Sequence, residues 1–355
     1  PLVAPAAIAA IISILPEIGS TMFAEWFVRK VMKDKVTKDD FEKFRRENAQ
    51  LCDQFIKSIE SLKKDLIESL KKYLLLCGLI DVQLELKEMV NRTSQQDVDR
   101  SIKNFNETFT RDISWHIIHY HHDIERDAQR EIISNLKNRT DIFLTGLSGS
   151  GKTTLLKRVA YELVFDGYPV FYSLGDIDPI KAEEFLRGFE NSPCFVIADN
   201  IYSNADKFFN LRRSLRERSN FNVRFLFAEK IESKPSYIPS EIKEIQLSLT
   251  ENDTARFIRK YFPEIKDENI KQLSESFMNY VKTDVVLLKI LLSDEKLKKT
   301  VIKKLTSYNI IDIASLPEAK DAVKNHIKER FSVLKDEHRN ALFPILICSA
   351  FGCPF

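Results

Sequence analysis

The chain has 355 residues, of which 44% are apolar and 30% charged. This composition is typical of globular proteins and excludes disordered and fibrous classes. The formal net charge is only +2, from 54 basic and 52 acidic residues. The chain therefore has no overall excess of positive charge that would attract nucleic acid or acidic lipid. The five cysteines have no metal-ligand spacing and mostly apolar neighbours, which favours free thiols in a reducing cytoplasmic compartment.

The N-terminal segment, residues 1–15, is an uncharged apolar run. It has no basic leader, which argues against a cleaved secretion signal, and it is shorter than the ~20 residues of a membrane-spanning helix. We favour a buried or partner-packed helix. The alternative is a helix that contacts lipid, through residues 1–28, when the protein is activated.

A charged helical region follows from Thr37. Its apolar residues recur in steps of three and four, which predicts one apolar stripe along a long helix that needs a partner. A helical bundle is favoured over a self-associating coiled coil. The positions of the stripe are Leu51, Phe55, Ile59, Leu62, Leu66, Leu70 and Tyr73.

Residues 115–122 hold four of the chain's six histidines: His116, His119, His121 and His122. Imidazoles bind zinc and copper, but no cysteine or carboxylate pattern completes a recognised site. We therefore expect a solvated interdomain helix here, with a metal site as the less favoured alternative.

From Asp123 onward, short β-rich runs alternate with helical stretches. This alternation predicts an α/β domain with a parallel sheet and crossover helices. Strands are predicted at residues 141–145, 169–173, 194–198, 223–228 and 244–249. Helices follow at 251–261, 269–292 and from Pro317, and the chain ends within an apolar phrase, so we expect the last domain to be cut through.

Residues 146–153 read GLSGSGKT and fit the pattern G-x-x-x-x-G-K-[ST] between an apolar strand and a helix. The glycines let backbone N–H groups turn inward around phosphates, and the helix presents its positive end to them. Lys152 is expected along the β- and γ-phosphates, and the Thr153 hydroxyl on magnesium. The motif predicts binding of ATP with Mg²⁺. The residues assigned to it are Gly146, Ser148, Gly149, Ser150, Gly151, Lys152, Thr153 and Thr154.

Asp199 follows the buried run 194–198 and is the predicted carboxylate of the magnesium site, where it would act on the ion through a bound water or through another ligand. The alternative is an aspartate that caps the loop. Asn200 stands where fast ATPases carry a second acid. Because an amide cannot accept a proton as a base, we expect ATP hydrolysis to be slow.

Other charged residues are candidates for contacts with the nucleotide, and for each of them a purely structural position is the alternative. Lys230, and less so Glu229, ends a run that resembles the sensor strand of P-loop ATPases and would contact the γ-phosphate; the alternative is a solvated strand end. Ile124 and Arg126, which are separated by Glu125, would together cover the adenine. The alternative is that Arg126 is a charge at a helix N-terminus.

A basic run lies between the Asp199 strand and the sensor strand. One of these arginines would reach a neighbouring subunit's phosphate as an arginine finger, although a solvated helix face is favoured. The run contains Arg212, Arg213, Arg216 and Arg218.

From Ile124 onward the order of motifs resembles the STAND class of signal-transduction ATPases, which includes NLR receptors, apoptotic ATPases and bacterial antiviral sensors. The matching stretches are 124–126, 144–155, 195–200, 225–230, 245–262 and 326–351. The chain departs from the class pattern at Asn200, at Lys230 in place of a sensor arginine, and near Thr283, where a Gly-x-Pro motif is missing.

The organisation that we expect has five parts. The P-loop domain would contain a parallel sheet in the order 5-1-4-3-2. The parts are an apolar helical segment (1–36), a helical effector or bundle region with a linker (37–122), the P-loop nucleotide-binding domain (123–249), a small helical domain (250–311) and the start of a winged-helix domain (312–355).

The resemblance implies an ATP/ADP-dependent switch in innate immunity, antiviral defence or another signalling pathway. The protein would be closed with ADP and would open on ATP exchange when a further C-terminal region detects its trigger, after which subunits self-associate and assemble their N-terminal helices. Nucleic acid is not an expected partner. The alternative is an AAA+ or origin-binding ATPase whose winged helix binds DNA; the long helical flanks disfavour a small-molecule kinase.

Overall fold

The computed structural model describes residues 49–107, 113–189, 192–217, 222–281, 285–307 and 312–333. The chain divides into two units, Pro1–Tyr73 and Leu74–Phe355. The described residues of the first unit belong to helix α1, Ala49–Cys77, which confirms the predicted helix; the partner of its apolar stripe remains a prediction. The apolar segment 1–36 and residues 334–355 of the expected winged helix lie outside the described residues.

The second unit is built on one mixed β-sheet. Its described strands are β1 (Ile80–Asp81), β2 (Ile142–Gly146), β3 (Val170–Ser173), β4 (Cys194–Asp199), β5 (Val223–Lys230) and β6 (Lys243–Gln246). They lie in the order β1-β3-β4-β5-β2-β6. Strands β2 to β6 are mutually parallel, and β2 is buried at every position, as expected of a central strand covered on both faces.

The sheet differs from the predicted parallel sheet at one edge. Strand β1 pairs antiparallel with β3, with Ile80 opposite Tyr172 and Asp81 opposite Phe171. The sequence did not reveal this strand because two residues are too few to show the alternation by which a strand is recognised.

Helices on the sheet complete its core, and some of them precede the predicted domain boundary. They are α2 (Val82–Arg92), α3 (Gln95–Glu107), α4 (Trp115–His119), α5 (Asp127–Lys137), α6 (Lys152–Phe165), α7 (Pro179–Leu186) and α8 (Ala205–Arg216). Val82 and Leu86 of α2 and Ile118 of α4 belong to the same buried cluster as Leu155 of α6 and Ile197 of β4. The boundary expected at residue 122 therefore does not separate two cores.

The histidine-rich stretch is also placed differently from the expectation. Ile117 and Ile118 of α4 are buried, so this short helix contributes to the core of the sheet and is not a solvated connection between domains. The apolar pair between the histidines was the sequence signal for this burial.

A second core lies in the helices after the sheet. These are α9 (Glu251–Tyr261), α10 (Asp267–Val281), α11 (Val285–Ser293), α12 (Glu295–Ser307) and α13 (Pro317–Val333). Helix α9 begins at a capping box, in which the Thr250 hydroxyl accepts from the N–H of Asp253 and the Asp253 carboxylate accepts from the N–H of Thr250.

Two details of this helical part correct the sequence-based prediction. Of the stretch 269–292, expected as one helix, residues 269–281 belong to α10 and residues 285–292 to α11. Helix α12 was not predicted. The core continues through Ile313, Leu316 and Ala322, so it crosses the boundary expected at residue 311.

Two cysteines of the described residues, Cys77 and Cys194, are buried free thiols. Burial raises the pKa of both thiols, which makes them unreactive at neutral pH. Among the described residues, no helix combines the length and the apolar character needed to cross a bilayer.

Candidate functional site

The glycine-rich loop joins the end of β2 to the start of α6. Gly149 and Gly151 adopt positive φ angles of 81° and 85°, and Gly151 is the N-cap residue of α6. Residues with a Cβ rarely adopt this left-handed conformation. The loop is also tight, because a Cβ at Gly146 would lie 2.7 Å from the Ser150 hydroxyl oxygen. The backbone thus takes the turn required to direct N–H groups of a helix start towards an anion.

Lys152 lies over this loop. Its ammonium group donates to the carbonyl oxygens of Gly146, at 2.7 Å, and Leu147, at 2.9 Å. Burial lowers the pKa of Lys152, and the carboxylate of Asp199 opposes that shift. A cation is therefore held at the position where the motif places a phosphate contact.

The carboxylate of Asp199 lies beside the loop at the carboxyl end of β4. The Thr153 hydroxyl donates to its Oδ2 atom at 2.6 Å, and the Tyr172 hydroxyl donates to the same oxygen at 3.3 Å. Residues separated by 46 and 27 positions in the sequence are therefore in contact. Sequence reasoning found Thr153 and Asp199 but not Tyr172, whose position within an apolar strand gave no sign of its hydroxyl contact.

The donor atoms at this point fit Mg²⁺. Hydroxyl and carboxylate oxygens are hard ligands, and magnesium in P-loop sites is held by few protein atoms together with phosphate oxygens and water. Within the described part of the chain, no cluster of three His, Cys, Asp or Glu side chains offers a metal site made of protein alone. Thr153 and Asp199 are the residues that would hold the ion.

Asn200 and Glu229 lie at the same edge of the sheet but make different hydrogen bonds. Asn200 has a φ of 60°, a conformation that asparagine tolerates better than most residues, and its N–H donates to the carbonyl of Ala228 at 2.9 Å. Glu229 is 1% exposed and accepts from the N–H groups of Tyr202 and Lys230 at 2.7 and 2.8 Å. Its carboxylate thus holds the loop after β4.

Lys230 pairs in register with Gly146 and is half-buried at the wall of the cavity described below. Both candidates of the sensor strand, Lys230 and Glu229, line this cavity.

Arg126 is bound on three sides. Its guanidinium donates to the Asp253 carboxylate at 2.7 Å, to the carbonyl of Ser150 at 3.1 Å and to the carbonyl of Ser248 at 2.9 Å. It is the N-cap residue of α5 and is 6% exposed. The side chain expected over the adenine therefore joins the phosphate loop to the start of the helical part.

A cavity of about 760 Å³ extends from the loop to the helical part. Its polar wall contains Lys152, Thr153 and Asp199, and its apolar wall includes Phe257 and Val285. A lining that combines charged and apolar side chains suits a ligand with a charged tail and a planar ring. Of the other predicted residues, the wall includes Arg126, Ser148, Gly149, Gly151, Thr154, Asn200 and Lys230. Gly146 and Ser150 are buried within the loop.

Lys289 lies in the helical wall of the cavity, and sequence reasoning did not identify it. Its ammonium donates to the carbonyl of Phe105 at 3.0 Å and lies 3.6 Å from the centroid of the Phe105 ring. Burial, and secondarily the charge of Lys260, lowers the pKa of Lys289 to about 7.

The basic run of α8 is engaged at the other end of the sheet. Asp141 precedes β2 and is 1% exposed; it accepts from Arg212 at 2.6 Å and from Arg216 at 2.9 Å. Arg212 and Arg216 therefore hold α8 to the sheet and do not form the solvated face that was favoured. A finger that reaches a neighbouring subunit's phosphate remains a prediction. Arg213 is exposed, and Arg218 lies outside the described residues.

The ring nitrogens of His116 are both within hydrogen-bonding distance of hydroxyl groups. Nδ1 lies 2.6 Å from Ser114 Oγ, and Nε2 lies 2.7 Å from Thr93 Oγ1. Burial lowers the pKa of His116. These contacts give His116 a structural role in joining α4 to the end of α2.

Comparison with known proteins agrees with the loop geometry. A model of the family described as Novel STAND NTPase 5 matches residues 110–236. A curated relative, "Replication protein" of Onion yellows phytoplasma (strain OY-M), is 28% identical over 157 residues, which cover 44% of this chain and 36% of the relative. The chain thus spans about a third of that relative's length.

Solved structures show weak overall similarity. The replication initiator DnaA bound to AMPPCP and single-stranded DNA aligns with a TM-score of 0.34 at 18% identity, covering 58% of this chain and 79% of that one. The FIGL-1 AAA domain in complex with ADP aligns at 0.37 and 14% identity, covering 74% and 99%. A variant of Thermotoga maritima RuvB aligns at 0.36 and 15% identity, covering 65% and 83%.

The family match and the loop geometry together support a P-loop NTPase. The site therefore binds a nucleotide. It lies at the carboxyl ends of the parallel strands, where α/β folds bind ligands.

Proposed function

We propose that this chain is the ATP/ADP-dependent switch of a multidomain immune or signalling sensor, in which nucleotide exchange controls self-association and the assembly of the N-terminal helices. The observation that carries this proposal is the position of Arg126. One guanidinium contacts the phosphate loop at Ser150, the chain leaving the sheet at Ser248 and the start of α9 at Asp253.

The phosphate tail of the nucleotide lies in the loop. Lys152 exchanges its two carbonyl contacts for phosphate oxygens, and the N–H groups at the start of α6 bind the same anion. Thr153 and Asp199 would hold Mg²⁺, whose charge would offset that of the phosphates. The base would lie in the same cavity, whose wall includes Phe257 and Val285.

Switching follows from this placement. A ligand shifts a conformational equilibrium only by its difference in affinity for the two states. Because the cavity is bounded by both the loop and the helices α9 and α11, nucleotide contacts differ wherever the helical part changes position. ADP favours one arrangement, and the γ-phosphate with Mg²⁺ favours another.

Hydrolysis is slow in this proposal. Asn200, at the edge next to Asp199, has no basic group to activate water. The buried carboxylate of Glu229 is engaged by two backbone N–H groups, which supports its role in holding the loop. A slow turnover prolongs the ATP-bound state.

Nucleotide retention gives the first test. We expect the chain purified without added nucleotide to carry ADP, identified by chromatography of the denatured protein. Lys152→Ala should weaken ATP affinity at least about tenfold, as expected when a buried charge-assisted contact is removed. Lys181→Ala, which removes a half-buried lysine paired with Asp178, is the control. Unchanged ATP affinity in Lys152→Ala would overturn nucleotide binding at this loop.

The switch itself is tested by mass. Light scattering of the protein, in the presence of its trigger, should give a larger particle with Mg²⁺ and a non-hydrolysable ATP analogue than with Mg²⁺ and ADP. The same mass distribution with both nucleotides contradicts the switch but leaves nucleotide binding intact.

A second candidate function is a replication or DNA-binding ATPase, and the relative named "Replication protein" favours it. Its test is the salt dependence of DNA affinity, since phosphate contacts release counterions and give a steep dependence. DNA binding that weakens steeply with salt supports this second function. Affinity no greater than that of a control protein of similar charge supports the switch.

A further inference from the structure

Tyr172 lies inside the sheet, one strand away from the strand that carries Asp199. It is almost fully buried, and its hydroxyl donates to Asp199 Oδ2, the oxygen that also accepts from Thr153. A tyrosine hydroxyl is protonated at neutral pH, so it acts as the donor in this contact.

We infer that Tyr172 is a positioning residue for the magnesium site, which holds the Asp199 carboxylate in the orientation that Mg²⁺ bound by Thr153 requires. This inference rests on the proposed Mg²⁺-nucleotide function. The Tyr172 hydroxyl acts through Asp199 and has no contact with the nucleotide of its own.

The surroundings of Tyr172 are built to fix its ring. The Trp115 ring meets it edge-on, with centroids 6.0 Å apart, and the Lys157 ammonium lies 6.0 Å from its centroid and 5.1 Å from that of Trp115. Lys157 in turn donates to the carbonyl of Ile113. Residues before the glycine-rich loop and within α6 therefore hold one ring from the same side of the sheet.

The edge strand β1 has a part in this arrangement. It pairs Ile80 with Tyr172, while β4 pairs Ile197 with Tyr172 on the other side. Tyr172 is thus held between two strands, which restricts the strand twist and bending that would otherwise move its hydroxyl. The antiparallel strand absent from the sequence-based prediction supports the orientation of Asp199.

The test separates magnesium dependence from nucleotide affinity. Tyr172→Phe keeps the ring and removes the hydroxyl. Binding of a non-hydrolysable ATP analogue would be measured in EDTA and across a Mg²⁺ titration. We expect the affinity in EDTA to be unchanged and the half-saturating Mg²⁺ concentration to rise roughly three- to tenfold, the effect of one ordinary hydrogen bond, because the contact to Asp199 is long, at 3.3 Å. The control is Tyr168→Phe, whose ring packs edge-on against Phe195.

A second variant distinguishes this inference from the proposed function. Thr153→Val removes the predicted ligand itself and should abolish most of the Mg²⁺ dependence. If Thr153→Val has no effect, the magnesium site is wrong. If Thr153→Val acts but Tyr172→Phe matches the wild type, only the positioning role is overturned. Equal losses in EDTA and Mg²⁺ for Tyr172→Phe would show a general structural effect and would also overturn it.

Discussion

Gly175 follows β3 with a φ of 92°, and a Cβ at this position would lie 2.2 Å from the carbonyl oxygen of Asn200 and 2.9 Å from that of Asp199. At the scale of single residues, the absence of a side chain here lets the loop after β4 approach closely. Asn204 adds a hydrogen bond to the carbonyl of Gly175 at 2.8 Å. The position of Asn200 beside the site depends on this contact.

Gly175→Ala is expected to lower stability and Mg²⁺-nucleotide affinity together. Gly167→Ala is a matched control, since Gly167 also has a positive φ, of 86°, but no atom within 4 Å of its Cβ position. The control should cost about 1–2 kcal/mol of backbone strain, and Gly175→Ala about 1–3 kcal/mol more, because the overlap must be relieved by moving the Asn200 backbone. Urea denaturation would measure both. Equal costs would contradict the importance of the Gly175–Asn200 contact.

Lys289 makes stability depend on pH. Its pKa falls from 10.5 to about 7 through burial and the charge of Lys260. Between these values the unfolded chain holds a proton that the folded chain does not, so stability is lost as pH falls from 10.5 towards 7, and the loss is complete below 7. Lys289→Met should therefore raise Tm at pH 6, and the gain should shrink by pH 9.

Thermal denaturation at pH 6, 7.5 and 9 checks this expectation. Lys296→Met, on an exposed position of α12, should shift Tm by a similar small amount at each pH. A Tm gain in Lys289→Met that stays constant with pH would mean that the ammonium of Lys289 carries no burial cost.

At the scale of elements, α8 is attached to the sheet through one carboxylate. Asp141 accepts from Arg212 and Arg216 of α8 and from the N–H of Phe225 in β5 at 2.9 Å. Nearby Arg224 is buried, and burial together with the charge of Arg216 lowers its pKa to about 10. The stability of these buried positive charges thus depends on the carboxylate of Asp141.

Asp141→Ala is expected to destabilise the protein by about 3–5 kcal/mol, because breaking a buried ion pair leaves charges without compensation. Asp166→Ala removes an exposed pair with Lys137 and should cost less than about 1 kcal/mol. Chemical denaturation compares the two. Since Asp141 lies at the far end of β2 from the loop, ATP affinity of the folded Asp141→Ala protein should equal that of the wild type.

At the scale of the whole molecule, the described residues of the second unit include one buried cluster around the sheet and another in the helices after Ser248. Arg126 and Asp253 connect them. Asp253 also accepts from the N–H of Asp127 at 2.9 Å, and Arg256 pairs with Asp127 at 2.8 Å. These polar contacts join elements far apart in the chain, next to the phosphate loop.

Arg126→Ala should therefore uncouple the helical part from the nucleotide. In the wild type, ADP is expected to increase hydrogen-exchange protection both in the loop and in α9 to α11. In Arg126→Ala, ADP should still increase hydrogen-exchange protection in the loop, but the increase in the helices should be smaller. Arg130→Ala, an exposed position one turn further along α5, is the control. A full gain in the helices of Arg126→Ala would contradict the coupling role.

The sequence by itself determined the phosphate loop, the parallel strands and the carboxylate at the end of β4. These features depend on contiguous residues: a glycine pattern selects a backbone conformation, and apolar runs between helices select buried strands. Short-range spacing is sufficient for such features, and it identifies Lys152, Thr153 and Asp199 without their geometry.

Only the tertiary structure decided which distant groups meet. Four features join segments separated by many residues: the Tyr172–Asp199 hydrogen bond, the carbonyl partners of Arg126, the Asp141–arginine cluster, and the inclusion of α2 and α4 in the core of the sheet. A charged or aromatic side chain has the same local pattern whether it is solvated or buried against a remote partner. Its burial and its partner depend on how the strands and helices pack, and that packing sets the roles of Arg126, Arg212 and Tyr172.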